Sequence, residues 1–121
     1  MKIYALRAFA RRARKLGIDG AELLAAVARI ERGSIDAHLG SGLIKQRISR
    51  DGRGKAGSAR AVLFHKQEHL VVFIHVFLKA DQADLQPREL ETLRAFARDI
   101  TALGARDIAA LLDIGEWSQI A

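Results

Sequence analysis

The stretch LGSGLIKQRISRDGRGKAGSAR, residues 39–60, combines six lysine and arginine side chains with one acid. If LIKQRIS is a β-strand, alternation places Lys45 and Arg47 on one face. The apolar Ile44 and Ile48 then point the other way. Arginine suits phosphate because its planar guanidinium donates to two oxygens and stays charged. The spacing therefore predicts a surface that handles phosphate.

More cations follow this predicted strand. A glycine-rich loop carries Arg50, Arg53 and Lys55, and Arg60 begins the next strand. Glycines let a backbone approach a ligand closely, and we expect the cations to converge on one edge of a sheet. An edge strand that is charged to prevent aggregation is the alternative. It explains the cations of the strand but not those of the loop or Arg60.

Other kinds of site fit the stretch poorly. A nucleoside-triphosphate loop needs Gly, four residues, then Gly-Lys-Ser/Thr, and Ser49 and Ala56 occupy two of those positions here. The four histidines are scattered and there is no cysteine, so we expect no metal site. No Ser-His-Asp arrangement stands out, and no cofactor is expected.

The charge is distributed unevenly along the chain. The net charge is +6, but residues 1–17 carry six positive charges and no acid, whereas residues 80–121 carry four positive and eight negative charges. Clustered lysine and arginine displace counterions from nucleic acid, so this asymmetry favours one polyanion-binding face. The alternative is that these charges are dispersed over the surface and serve only solubility.

Length and composition predict one soluble domain spanning residues 1–121. Half of the residues are hydrophobic, enough for a real core. The longest apolar run, residues 70–78, is too short to cross a bilayer, and the basic N-terminus does not resemble a signal peptide. The absence of cysteine gives no sign of an oxidising compartment, so a cytoplasmic protein is expected.

Periodicity predicts two helices before the basic stretch. The first runs from Leu6 to Leu16, and the second is capped by Asp19 with Glu22 and continues to Gly33. The first helix carries a basic stripe that could bind a polyanion or simply face solvent, formed by Arg7, Arg11, Arg14 and Lys15.

Two hydrophobic runs, separated by residues 66–69, then predict a β-hairpin. Strict alternation along the second run gives an all-apolar face and a mixed face. The apolar face consists of Leu70, Val72, Ile74, Val76 and Leu78. The mixed face consists of Val71, Phe73, His75, Phe77 and Lys79.

Two further helices complete the chain. One begins at Pro87 and ends at Gly104, and a short one covers residues 105–112. The order predicts an α+β domain with a small antiparallel sheet of three to four strands. Two N-terminal helices and a C-terminal helical segment pack on it.

The chain resembles the RelE/ParE superfamily of type II toxins, particularly its HigB-like branch. The resemblance runs through almost the whole chain, in FARRARKLG, ERGSIDAHLGSGLIKQRISRDGRGKAGSAR and a hydrophobic strand ending in FLK. Its most specific part follows the family pattern Gly-Leu-Ile-Lys-Lys-Arg, a short loop, Gly-Lys-x-Gly-Gly, an aromatic residue, then Arg. The resemblance implies a RelE-like fold and a toxin that cuts messenger RNA in the ribosomal A site until a cognate antitoxin neutralises it.

The resemblance also implies roles for individual residues. The proposed catalytic set, matched position by position to the family, is Lys45, Arg47, Lys55, Arg60 and Lys79, and Phe77 matches a nearby aromatic.

RNA supplies its own 2′-hydroxyl nucleophile, so a cluster of cations suffices. We expect Lys45 or Lys55 to accept the proton, because positive neighbours favour a neutral lysine. The two arginines hold the phosphate and Lys79 assists the leaving group. Arg50, Arg53 and Phe77, whose ring could stack on a base, join the basic stripe of the first helix as expected contacts of RNA and the ribosome.

Some positions depart from the family. Ser58 and Ala59 stand where a glycine and an aromatic are usual, and ADQADL follows Lys79 in place of a serine, acids and an asparagine. A base-stacking aromatic is therefore missing, and a weakened toxin is one expectation.

Three activities remain open: RNA cutting, gyrase poisoning of the ParE type, and plain basic RNA binding. His75 is expected to be a core histidine rather than a catalyst. Trp117 is either core or an antitoxin anchor.

Overall fold

The computed structural model describes residues 1–50 and 57–121. Within them lie four helices and six strands. In chain order these are β1 Lys2–Leu6, α1 Arg7–Lys15, α2 Gly20–Glu31, β2 Ala37–Gly40, β3 Leu43–Ile48, β4 Ala59–Lys66, β5 Leu70–Leu78, α3 Pro87–Thr101, α4 Ala105–Asp113 and β6 Trp117–Gln119. Arg53 and Lys55 of the basic stretch lie outside the described residues.

The strands form one mixed sheet in the order β2-β3-β4-β5-β1-β6. Strands β2 to β5 are antiparallel, whereas β1 pairs parallel with β5 and antiparallel with β6. The predicted α+β class and the central strands β3, β4 and β5 are confirmed, but the predicted sheet is too small. The three missed strands have only three to five residues each, too few for alternation to stand out.

Helices cover both faces of the sheet. On one face, α1 and α2 bury a core in which Phe9 of α1 lies against Phe73 of β5, with ring centroids 5.1 Å apart. On the other, α3 buries Ala97 and Ile100 against a second core that includes Val62. We call the second side the α3 face. Because side chains of a strand alternate between these faces, every position on β3, β4 and β5 has a defined environment.

A β-bulge in β5 changes the predicted alternation. Val62 pairs with His75 but the next residue, Leu63, pairs with Phe73, so Ile74 is an extra residue in the ladder. Phe73 and Val76 consequently belong to the core under α1 and α2. His75 and Phe77 lie on the α3 face instead. The predicted grouping of Phe73 with His75 and Phe77 is therefore wrong.

The predicted helix starts are confirmed. The Asp19 side chain accepts a hydrogen bond of 2.9 Å from the Glu22 amide at the start of α2. Pro87 is the first residue of α3, where its missing N–H costs nothing, and the Gln86 amide donates to Glu89 Oε1 at 2.9 Å. In the described part of the chain, no helix combines the length and apolar character needed to cross a membrane.

Candidate phosphate-handling site

Two rows of side chains cross β3, β4 and β5 on the α3 face. The first row is Arg47, Arg60 and Phe77, in register on the three strands. The second row, two residues along each strand, is Lys45, Val62 and His75. We call the three basic side chains Lys45, Arg47 and Arg60 the cation face. The alternation predicted for LIKQRIS is confirmed, since Ile44 and Ile48 lie in the opposite core.

Arg47 and Arg60 are like charges in directly opposed positions. Among the described residues, neither forms an ion pair with a carboxylate. The Arg60 guanidinium donates to Ser58 Oγ at 2.9 Å and to the Ala59 carbonyl at 3.3 Å, which holds it toward the start of β4. Directly opposed like charges destabilise a sheet, so this pair is suited to an anion that binds both.

Lys45 has a carboxylate partner. Its Nζ donates to Asp84 Oδ1 at 2.8 Å, and the Asp84 side chain is 65% exposed. The hydrogen bond from Lys45, followed by one from the Leu85 amide, lowers the pKa of Asp84 below its ordinary value. An ammonium that donates to a carboxylate has no lone pair with which to accept a proton. This geometry therefore gives no support to Lys45 as a general base.

Lys79 is the first residue after β5 and is exposed. The preceding residue, Leu78, pairs with Ala59, which itself precedes Arg60. Lys79 therefore lies at the same end of the sheet as the two arginines. In the described residues it has no ion-pair partner.

Arg50 holds the backbone rather than presenting a free guanidinium. Its Nε donates to the Gly57 carbonyl at 2.6 Å, and its Nη1 donates to the Leu16 carbonyl at 3.0 Å. These bonds link the two ends of the basic loop to the end of α1. The expected RNA contact by Arg50 would have to compete with both of them.

The basic stripe of α1 lies apart from the cation face, because α1 packs on the opposite face of the sheet. Arg7 is paired with Glu116 at 2.6 Å. Arg11, Arg14 and Lys15 are exposed. The structure thus gives the stripe a separate surface from the proposed chemistry.

Two aromatic residues from the sequence analysis are buried. Phe77 is only 3% exposed, so no base can stack on its ring in this arrangement. Trp117 is 4% exposed and its ring centroid lies 5.6 Å from that of Tyr4. Trp117 is therefore a core residue in this structure.

His75 occupies a partly polar environment at the end of the second row. Its Nε2 is buried without a hydrogen-bond partner and lies 3.9 Å from Glu89 Oε2, while 35% of the side chain is exposed. The Phe77 ring lies alongside, with centroids 5.9 Å apart. Burial lowers the pKa of His75, the nearby Glu89 carboxylate opposes this, and Arg12 adds to it.

A cavity of about 480 Å³ opens beside His75. Its remaining lining comes from the start of α3: Gln86, Arg88, Glu89, Thr92 and Leu93. Its size lies within the range of small-molecule pockets. A pocket therefore lies one row from the arginine pair.

Sequence reasoning missed Asp84, Glu89 and Arg12 as neighbours of the site. Arg12 Nε donates at 3.0 Å to the Val76 carbonyl, on the part of β5 that extends beyond its pairing with β1. Each of the three reaches the site from an element distant in sequence. The acidic ADQADL segment was the available signal, since its charge is opposite to that of the cations.

Within residues 1–50 and 57–121, no three histidine, cysteine, aspartate or glutamate side chains are grouped closely enough to hold a metal ion.

Comparison with protein families finds a match to nearly the whole chain. The sequence model described as "RelE toxin of RelE / RelB toxin-antitoxin system" matches residues 1–120. A comparison with curated proteins finds no match. The family match spans every helix and strand described above.

Proposed function

Because this chain belongs to the RelE family of toxins of toxin-antitoxin systems, we propose that it is a metal-independent endoribonuclease acting on ribosome-bound messenger RNA. A cognate antitoxin would hold it inactive. The HigB-like branch is the finer placement that the sequence motifs favour. Family membership supports the general activity, and the cation face supports the chemistry.

The opposed Arg47 and Arg60 carry the proposal. Two arginines in directly opposed positions, without a carboxylate partner among the described residues, offer an unneutralised site for a doubly coordinated anion. A phosphodiester that gains negative charge as the 2′-hydroxyl attacks is such an anion. Fixed donors around developing charge are a large source of catalysis.

The other cations fit supporting roles. Lys79, at the same end of the sheet, would donate a proton to the leaving 5′-oxygen. Lys45, held by Asp84, would contribute charge to RNA binding rather than accept a proton. Lys55 and Arg53 lie outside the described residues; Lys55 stays a predicted catalytic residue and Arg53 a predicted RNA contact.

The exposed stripe of α1 suits a second contact. Arg11, Arg14 and Lys15 project away from the sheet and could bind ribosomal RNA while the cation face binds the message. Replacing these three basic residues by neutral ones would weaken ribosome binding without changing the rate of the chemical step.

Gyrase poisoning of the ParE type is the second candidate within the same superfamily. It needs protein binding rather than phosphate chemistry, so it leaves the unpaired Arg47 and Arg60 without a purpose. Basic RNA binding without cleavage would use their charge but not their close opposition.

The deciding experiment expresses the protein in cells and maps the 5′ ends of cleaved messages. Wild type should arrest growth and produce cuts in phase with codons, and the R47Q and R60Q variants should not. Arg106, an exposed arginine of α4, offers the matched control R106Q, which should cut like wild type. Growth arrest with broken DNA and intact messages would reject RNA cleavage in favour of gyrase poisoning.

A further inference from the structure

His75 lies within reach of the proposed phosphate. Phe77 is directly opposite Arg60, and His75 is two residues away on the same face of β5. Diagonal neighbours on paired strands are about 7–8 Å apart at the backbone, a distance that long side chains bridge. The Arg60 guanidinium is turned toward Ser58 and Ala59, so a phosphate would contact both side chains by bridging the two rows of the α3 face.

The imidazole of His75 faces a carboxylate on one side. Its Nε2 lies 3.9 Å from Glu89 Oε2 and has no hydrogen-bond partner, while 35% of the whole side chain is exposed. The side chain also lines the cavity at the start of α3. When the ring carries its proton on Nε2, toward the carboxylate, Nδ1 is left as an acceptor.

Glu89 is itself held in place. Its Oε1 accepts from the Gln86 amide at 2.9 Å and from Gln82 Nε2 at 2.6 Å, which leaves Oε2 toward the histidine. The same Gln82 amide donates to the Asp84 carbonyl at 2.9 Å, and Asp84 pairs with Lys45. One polar network therefore connects the histidine to the cation face.

The three side chains of the cation face do not themselves supply a proton acceptor. Lys45 is a donor to Asp84, and arginine does not deprotonate in proteins. RNA cleavage requires a group that removes the 2′-hydroxyl proton.

We propose that His75, oriented by Glu89, is this proton acceptor, an inference that rests on the proposed RNA cleavage. Its Nδ1 takes the 2′-hydroxyl proton as the O2′–P bond forms. The P–O5′ bond breaks, and the leaving oxygen takes a proton from the Lys79 ammonium. The products are a 2′,3′-cyclic phosphate and a 5′-hydroxyl end, and both side chains then exchange protons with water.

Burial, rather than charge, favours a neutral ring at His75. It lowers the pKa of the ring from its ordinary value, the facing Glu89 carboxylate raises it, and Arg12 of α1 lowers it. The other cations around the ring are Arg88 of α3, Arg60 of β4 and Lys45 of β3. A lowered pKa favours the unprotonated imidazole that a base requires.

The test measures single-turnover cleavage of ribosome-bound message by purified protein between about pH 5 and pH 9, which brackets the titration of histidine. The wild-type rate should rise with pH and level off above the pKa of His75. The variant H75Q should lose this rise and cleave about 10²-fold or more slowly at neutral pH. RNA binding by H75Q should be unchanged.

A second variant separates chemistry from folding. Gln retains the capping role at this position of α3, so E89Q keeps the helix start but removes the charge that raises the pKa of His75. The cleavage rate of E89Q should therefore rise at lower pH than that of wild type. His69, in the turn between β4 and β5, supplies the matched control H69Q, which should follow the wild-type profile.

The outcomes are distinct. An H75Q variant with the wild-type rate and pH limb, alongside an inactive R47Q, overturns the role of His75 but leaves RNA cleavage standing. If H75Q fails to fold, E89Q decides instead. An E89Q cleavage rate that rises over the same pH range as wild type then overturns the role of His75. A wild-type protein that never cuts ribosome-bound message rejects both the inference and the proposed function.

Discussion

Arg47 of β3 and Arg60 of β4 occupy directly opposed positions on the α3 face, with no carboxylate pairing either of them among the described residues. A sheet gains nothing from this arrangement, because facing like charges repel. A bound phosphate would neutralise both side chains at once. The arginine pair therefore does not stabilise the fold, but it suits the proposed activity.

The variant R47Q should keep the stability of wild type but bind RNA less tightly. The Arg47 side chain makes no ion pair in the described part of the chain, so its removal relieves repulsion and should leave the free energy of unfolding equal to wild type or higher by about 0.2–1 kcal/mol. RNA affinity should fall, with a salt-dependence slope smaller by about one charge. Urea unfolding and RNA titrations at several salt concentrations measure the two effects. A clear loss of stability in R47Q but not in R106Q would contradict this reading.

The variant D84N should bind RNA more tightly. Asp84 holds Lys45 by a 2.8 Å hydrogen bond and competes with phosphate for the ammonium. Asparagine keeps an acceptor for the Leu85 amide but removes the charge. Equilibrium binding to a short single-stranded RNA at low salt measures the gain, with the exposed D113N of α4 as the matched charge control. Equal gains in both variants would show that net charge alone is responsible.

The Asp84–Lys45 pair should also leave a mark on stability at acidic pH. The pKa of Asp84 is lowered in the folded protein, so its contribution is present above the ordinary aspartate value and is lost as pH falls through the folded value. Since Asp84 is mostly exposed, wild type should exceed D84N by about 1 kcal/mol or less at neutral pH. The difference should vanish as pH falls below about 4. Denaturant unfolding of both proteins from neutral to acidic pH checks this, and a difference that grows on acidification would refute it.

Gln46 is a structural polar residue on the face opposite the cations. It is fully buried; its Nε2 donates to the Ser34 carbonyl at 2.9 Å and its Oε1 accepts from the Asp36 amide at 3.0 Å. The variant Q46L leaves both backbone groups unpaired and should lose about 1–3 kcal/mol of stability. Urea unfolding measures this loss. The control is Q67L, at an exposed turn position, whose free energy of unfolding should stay close to that of wild type. Equal stability of Q46L and wild type would mean that these bonds are replaced.

Trp117 should behave as a core residue. It lies in the core under α3, beside Tyr4, on the edge strand β6. The variant W117A should lose about 3–5 kcal/mol, the usual cost of truncating a buried aromatic. The exposed apolar Ile114 gives the control I114A, with little expected change. Thermal or denaturant unfolding decides, and a W117A variant as stable as wild type would return Trp117 to the role of a partner anchor.

The amino-acid sequence determined those elements whose signals are local. Helix starts at Asp19 and Pro87 follow from side chains and a ring that act within one turn. The alternation that separates Lys45 and Arg47 from Ile44 and Ile48 is a property of any strand, so the cation face was predictable from one short stretch.

Tertiary structure decided what depends on pairing between distant segments. Strand β1 exists because it adds to β5 some 70 residues later, and its five residues carry too weak a pattern to reveal this. The bulge at Ile74 turned His75 and Phe77 to the α3 face, against strict alternation. Only the folded chain brings Asp84 to Lys45 and Glu89 to His75, because ion pairs between elements depend on packing rather than on spacing along the sequence.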